Sequence, residues 1–158
     1  MTIKSLLDQE LRATHGPRVV AVKHDGAVLR CEIAAIDALA VSFRKLSLET
    51  LQLAGASLAK LEQIAKDLSE KLSYLLEPVE PIEADALTCT VQMRSNPPQK
   101  DDDGSSYYEL LVKAGGELSL ERYRKEPGAN RTPLDATVTS EVLLRLAGDF
   151  AGAVEAVK

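Results

Sequence analysis

Tryptophan is missing from this sequence, and the aromatic residues amount to four tyrosines and two phenylalanines, so the core it builds must be largely aliphatic. Cysteine is scarce as well. Cys31 and Cys89 lie far apart, each within an apolar alternating run, which argues against a disulfide framework and predicts two buried free thiols in a reducing, cytoplasmic setting. No apolar run approaches the ~20 residues of a membrane span, so no membrane partner is expected. The N-terminus sets Lys4, Asp8, Glu10 and Arg12 among its apolar residues and has the pattern of neither a signal nor a transit peptide. Basic residues are outnumbered: 19 Lys and Arg against 24 Asp and Glu leave a formal net charge of −5. Nucleic acid, which calls for a basic stripe, is therefore not an expected partner.

The 158 residues, 45% hydrophobic and 27% charged, suit a single domain over 1–158 with one core. Its organising stretch is Leu51 to Leu75. Leu51, Ala54, Leu58, Leu61, Ala65, Leu68, Leu72 and Leu75 follow one another in alternating steps of three and four, an apolar seam at helical spacing. Lys60, Glu62, Gln63, Lys66, Asp67, Glu70 and Lys71 fill the opposite side. Gly55 disfavours an early start, so the spacing predicts a helix from Ser57, as N-cap, to about Ser73. Residues 44–56 stay open, because Leu46, Leu48, Leu51 and Leu53 alternate like a strand while Leu51 and Ala54 also fit the seam.

Before the seam, Ile3, Leu6, Leu7 and Leu11 give a short helix, with Asp8 three after Ser5 at its start and Gly16-Pro17 as a stop. Asp25-Gly26 then marks a two-residue hairpin turn. The turn pairs Val22 with Leu29 and Val20 with Cys31 on an apolar face, and Ala21 with Arg30 and Val19 with Glu32 on a mixed one. A third strand is expected over Leu39 to Phe43, antiparallel to the second.

After the seam, Pro78 and Pro81 permit at most an edge strand. Leu87, Cys89, Val91 and Met93 alternate with polar residues, predicting a half-buried strand over 86–95. Residues 96–106 are polar and breaker-rich, and are expected to be the most mobile loop. Tyr107 to Arg124 reads as a hairpin around Gly115-Gly116. A three-residue loop, Ala114-Gly115-Gly116, pairs Val112 with Leu118 and Leu110 with Leu120. That register also sets Glu109 against Glu121, a like-charge pair that Arg122 or Lys125 would have to offset. The segment 126–135, with two prolines, is expected to be a loop. Thr139 caps a last helix striped by Val142, Leu143, Leu146, Phe150 and Val154, and Gly148 and Gly152 predict a close backbone approach. The fold class is α+β: antiparallel hairpins packed with helices in the order α-βββ-α-(β)βββ-α.

No motif names a reaction. Three consecutive carboxylates, Asp101 to Asp103, do not have the alternate spacing of a calcium loop. His15, His24, Cys31 and Cys89 show no zinc spacing. His24-Asp25 is explained by the turn, and no cofactor motif is found, so no catalytic residue, metal or cofactor is assigned. Tyr107, Tyr108, Arg122, Tyr123 and Arg124 could stack bases, but the hairpin register divides the aromatics between two faces.

In its element order, and in being small and acidic, the chain resembles the dimeric chaperones of type III secretion systems. The resemblance lies in topology and implies a non-catalytic protein-binding or adaptor module, a homodimer that uses a sheet edge or a helix face to hold a protein partner. The alternative is a small ligand binder or enzyme with an anionic ligand held near the 107–125 hairpin by Arg94, Tyr108, Arg122 and Arg124.

Overall fold

Asp25 and Gly26 both take positive φ, +49° and +76°, as a two-residue turn joining right-twisted strands requires. In the computed structural model, which describes residues 1–157, this turn joins β1 (Arg18–His24) to β2 (Ala27–Ile36). Val22 lies opposite Leu29 and Val20 opposite Cys31, the register that the side-chain alternation predicts. The second hairpin, β7 (Ser105–Lys113) and β8 (Glu117–Lys125), also has the predicted register, with Val112 opposite Leu118 and Leu110 opposite Leu120. Gly116 closes its three-residue loop at φ +108°.

The remaining strands are β3 (Ala40–Thr50), β4 (Val79–Asp85), β5 (Thr90–Ser95), β6 (Gln99–Lys100), β9 (Thr132–Leu134) and β10 (Ala136–Thr139). All join one antiparallel sheet. Its main path runs β1-β2-β3-β8-β7-β5-β4, with β10 beside β3, β6 beside β7 and β9 beside β8.

Three helices cover one face. Helix α1 (Ile3–Arg12) is capped by Thr2, whose hydroxyl accepts from the Ser5 backbone N–H, so the cap lies one turn before the expected Ser5–Asp8 pair. Helix α2 (Leu58–Lys71) starts from Ser57 and runs on through a 3-10 turn at Leu72–Leu75. Helix α3 (Ser140–Glu155) starts from Thr139. The apolar faces of α1, α2 and α3 meet the sheet in one core that contains Leu7, Leu61, Ile64, Leu68, Phe43, Leu46, Met93, Leu110 and Phe150. Tyr74 donates its hydroxyl to Asp149 Oδ2 at 2.7 Å and lies under Arg145, tying the end of α2 to α3.

Several expectations are corrected. The open segment 44–56 is strand as far as Thr50, followed by a single 3-10 turn at Leu51–Leu53. Tertiary pairing decides this: Leu46 and Leu48 face Leu120 and Leu118 of β8 and are buried. Leu51, at the head of the apolar seam, is consequently 84% exposed. The strand expected from residue 86 begins at Thr90. Asp85 Oδ1 instead accepts the backbone N–H of Leu87 and Thr88, a local turn bond that competes with strand pairing, and leaves Leu87 98% exposed. Within segment 126–135, residues Thr132–Leu134 pair with β8, Pro133 being tolerated because β9 is an edge. Among the described residues, no backbone atom from outside α3 comes within 4 Å of a Cβ placed at Gly148 or Gly152; the neighbour of Gly148 is the Lys4 side chain, at 3.9 Å.

Candidate functional site

The two edges of the sheet differ. In β4, Pro81 has no N–H to offer, the register shifts between Pro81 and Glu83, and Glu80, Glu83 and Asp85 line the strand. These are features that block edge-to-edge pairing. In β1 there is no proline and no register shift, and its exposed charges, Arg18 and Lys23, are both basic. A two-residue turn makes His24 and Ala27 a hydrogen-bonded pair, and alternation then turns the N–H and C=O of Val19, Ala21 and Lys23 away from β2. Their side chains are exposed, Val19 by 59%. Among the described residues no strand pairs with this edge.

The β7–β8 hairpin carries the charged and aromatic residues. Successive side chains point to opposite faces. Tyr108 and Arg122, opposite each other, share the helix-covered face with Leu110 and Leu120. Arg94 lies opposite Glu109 and so belongs to the other, helix-free face. There it stands 4.6 Å over the Tyr107 ring and 3.7 Å from Glu109 Oε2. The structure therefore brings Tyr108 and Arg122 together and separates them from Arg94. Arg124, half-buried at the sheet end, bonds Asp101 through both terminal nitrogens. Asp101 also accepts the N–H of Asp103 and Gly104, so the acidic run is tied to β8 and the loop 96–106 is pinned at its tip. Together the Arg124 guanidinium and these N–H groups hold the Asp101 carboxyl at about 2.

Around Arg122 the packing is close. Its guanidinium lies 4.5 Å over the Tyr108 ring, and Nη2 donates to Ser106 Oγ and Gln99 Oε1 and meets Glu77 Oε2 at 3.0 Å. Only 9% of the Arg122 side chain and 14% of Glu77 is exposed. Two polar atoms of this cluster have no partner, Arg122 Nη1 and Glu77 Oε1. Both residues line a cleft of about 610 Å³ with Leu75, Pro78, Pro97 and Asp135. Burial raises the Tyr108 pKa, opposed by the adjacent guanidinium.

Glu77, Glu109 and Arg131 complete these clusters without a local sequence signal. Glu77 turns inward because Leu76 ends the 3-10 turn at φ +65°, a conformation unusual for leucine. Arg131 reaches Glu109 and lies 3.9 Å from the Tyr123 ring centroid, a contact across 22 residues. On the same face burial and the Glu121 carboxylate, which accepts its hydroxyl, push Tyr123 up to about 12.

The groups that sequence would first nominate for nucleophilic chemistry have structural roles. His24 Nε2 stands 3.4 Å from Asp25 Oδ2 within the hairpin turn. Cys31 is buried in the core, and burial followed by the nearby Glu32 charge pushes its thiol to about 12. Cys89 is half-buried in the turn before β5, at φ +49°, and its Sγ donates to the Ala56 carbonyl. It is thus off the strand face expected for it.

Compared with known proteins, the chain matches no family model, no curated protein and no solved structure.

Proposed function

We propose that the chain is a non-catalytic protein-binding module whose binding surface is the β1 edge, occupied in the free protein by the same edge of a second copy. The observation that carries this reading is the contrast between a blocked β4 and an open β1. Self-pairing is favoured by the sequence of β1 itself. An antiparallel pair centred on Ala21 sets Ala21 against Ala21 of the second copy and Val19 against Lys23, so the outward N–H and C=O groups meet without a like-charge pair. On the core side Val20 and Val22 meet their counterparts, continuing the apolar layer across the two-fold axis. The element order shared with the dimeric chaperones of type III secretion systems supports a binding role by analogy, and the two free thiols support a cytoplasmic setting.

The test is light scattering during size exclusion. At ~100 µM, which populates any dimer of micromolar affinity, the wild type should elute at twice the chain mass. Ala21→Pro removes one outward N–H without touching the β2 ladder, and Val19→Lys sets two ammonium groups opposite each other. Both should run as folded monomers. A monomeric wild type, or two variants that remain dimeric, would remove the β1 edge from consideration.

A further inference from the structure

We propose that the cleft on the helix-free face beside Arg94 binds a small organic anion, a carboxylate carried on an apolar body. The cleft, of about 590 Å³, is lined by Arg94, Lys125 and Arg131, and among the described residues no carboxylate lines it, although acidic residues outnumber basic ones in the chain. The two guanidiniums are neighbours, because both reach the same oxygen, Oε2 of Glu109. That carboxylate is only 6% exposed and offsets one of the three charges, so the cleft keeps a positive excess. A cleft lined by one sign of charge concentrates ions of the other.

Arg94 is the group best placed to receive the carboxylate. Among the described residues it makes no hydrogen bond; the Tyr107 ring at 4.6 Å and Glu109 at 3.7 Å steady it, so little ordering is required on binding. Its Nε is enclosed, but 37% of the side chain is exposed, and it is the terminal nitrogens that a ligand reaches. Their N–H groups, fixed in one plane, match the two oxygens of a carboxylate. Lys125 donates to the carbonyls of Glu126 and Ala129 and keeps the third of its N–H groups. The acids nearby are engaged: Glu80, opposite Arg94 on β4, accepts the Asn96 amide, and Glu126 meets Arg124. Exposed Ile82 and half-buried Pro98 provide an apolar wall for the body of the ligand. An ammonium compound would be repelled, and a neutral one would leave the excess charge uncompensated. The cleft lies at the end of the sheet away from β1, and its occupancy is independent of the oligomeric state.

Chemical-shift titration of the labelled full chain, at constant ionic strength and neutral pH, tests the inference with benzoate, benzamide and inorganic phosphate. Benzamide has the ring of benzoate without its charge, and phosphate has charge without the ring. Benzoate should move the Arg94, Tyr107 and Arg131 amide signals and bind about tenfold more tightly than either of the others. Arg94→Gln leaves Arg131 and Gln92 on Glu109 and so keeps the fold. This variant and Lys125→Gln should each weaken benzoate about fivefold, the worth of one exposed ion pair, and leave benzamide unchanged. Benzamide binding as tightly as benzoate would remove the role of charge, and phosphate binding as tightly would reduce the cleft to a surface for adventitious ions; either overturns the inference. So would the absence of any shift up to ~50 mM benzoate, or full benzoate affinity in both variants.

Discussion

Glu109 and Glu121 lie directly opposite each other on β7 and β8, and the sheet tolerates the pair because each carboxylate has its own partners. Glu109, only 6% exposed, is held by Arg131, Arg94 and the Gln92 amide. Glu121 accepts the Tyr123 hydroxyl at 2.9 Å. Neither of the cations that flank Glu121 nearby in sequence, Arg122 and Lys125, does this work: Arg122 points to the other face and Lys125 bonds loop carbonyls. Arg131→Ala should therefore lower stability by about 1–2 kcal/mol, less than the loss of a sole partner because Arg94 remains. Urea unfolding measures it, and Glu109→Gln added to Arg131→Ala should recover part of the loss. An unchanged midpoint in the single variant would show that Arg94 alone neutralises Glu109.

Leu51 and Leu68 occupy equivalent places in the apolar seam but not in the fold. Leu68 is fully buried between α2 and the sheet, while Leu51 is 84% exposed. Leu68→Ala should cost about 2–5 kcal/mol through lost burial and the cavity left behind. Leu51→Ala should fall within about 0.5 kcal/mol of the wild type. Equal effects would show that the seam acts as one helix from Leu51 onward.

That contrast marks where local pattern stops being informative. Turn chemistry and side-chain alternation agree at Asp25-Gly26 and at Ala114–Gly116, and both registers follow from residues within one hairpin. The caps Ser57 and Thr139 are equally local. Leu51 is different, because strand alternation and the helical seam both fit it, and the pairing of Leu46 and Leu48 with β8, some 70 residues away, carries the strand only as far as Thr50. The candidate site divides in the same way. Alternation already separates Arg94, which adjoins buried Met93, from Tyr108, which shares a face with Leu110. The inward turn of Glu77 follows instead from the left-handed Leu76 and has no precursor in composition or period.

Asp101 offers a pH-dependent observation. Its folded carboxyl, held first by Arg124 and then by the Asp103 and Gly104 N–H groups, titrates at about 2, below the ordinary 3.8. A group depressed in this way contributes stability above its unfolded pKa and loses it as pH falls toward the folded value. Protection of the Gly104 amide from hydrogen exchange should accordingly persist at mildly acidic pH and fade only between about 4 and 2. In Arg124→Gln the Asp101 midpoint should rise toward the ordinary value, yet stop short of it because two backbone donors remain. A midpoint near 3.8 in the wild type would detach the loop tip from β8.

Cys31 and Cys89 should separate in their reactivity. Attack on a disulfide reagent requires an exposed thiolate. Cys31 is completely buried, and desolvation, reinforced by Glu32, keeps its thiol protonated to about 12. Cys89 is half-buried in a turn, and its thiol makes a weak donation of 3.5 Å to the Ala56 carbonyl. With an aromatic disulfide reagent at mildly alkaline pH, the native wild type should release chromophore from one thiol well ahead of the second. Cys89→Ser should abolish the fast phase and leave Cys31 to react at the rate of global opening, which denaturant accelerates. A fast phase that survives in Cys89→Ser would mean that the packing around Cys31 opens locally without global unfolding, because Cys31 is buried in the core between Val20 of β1 and Leu46 of β3.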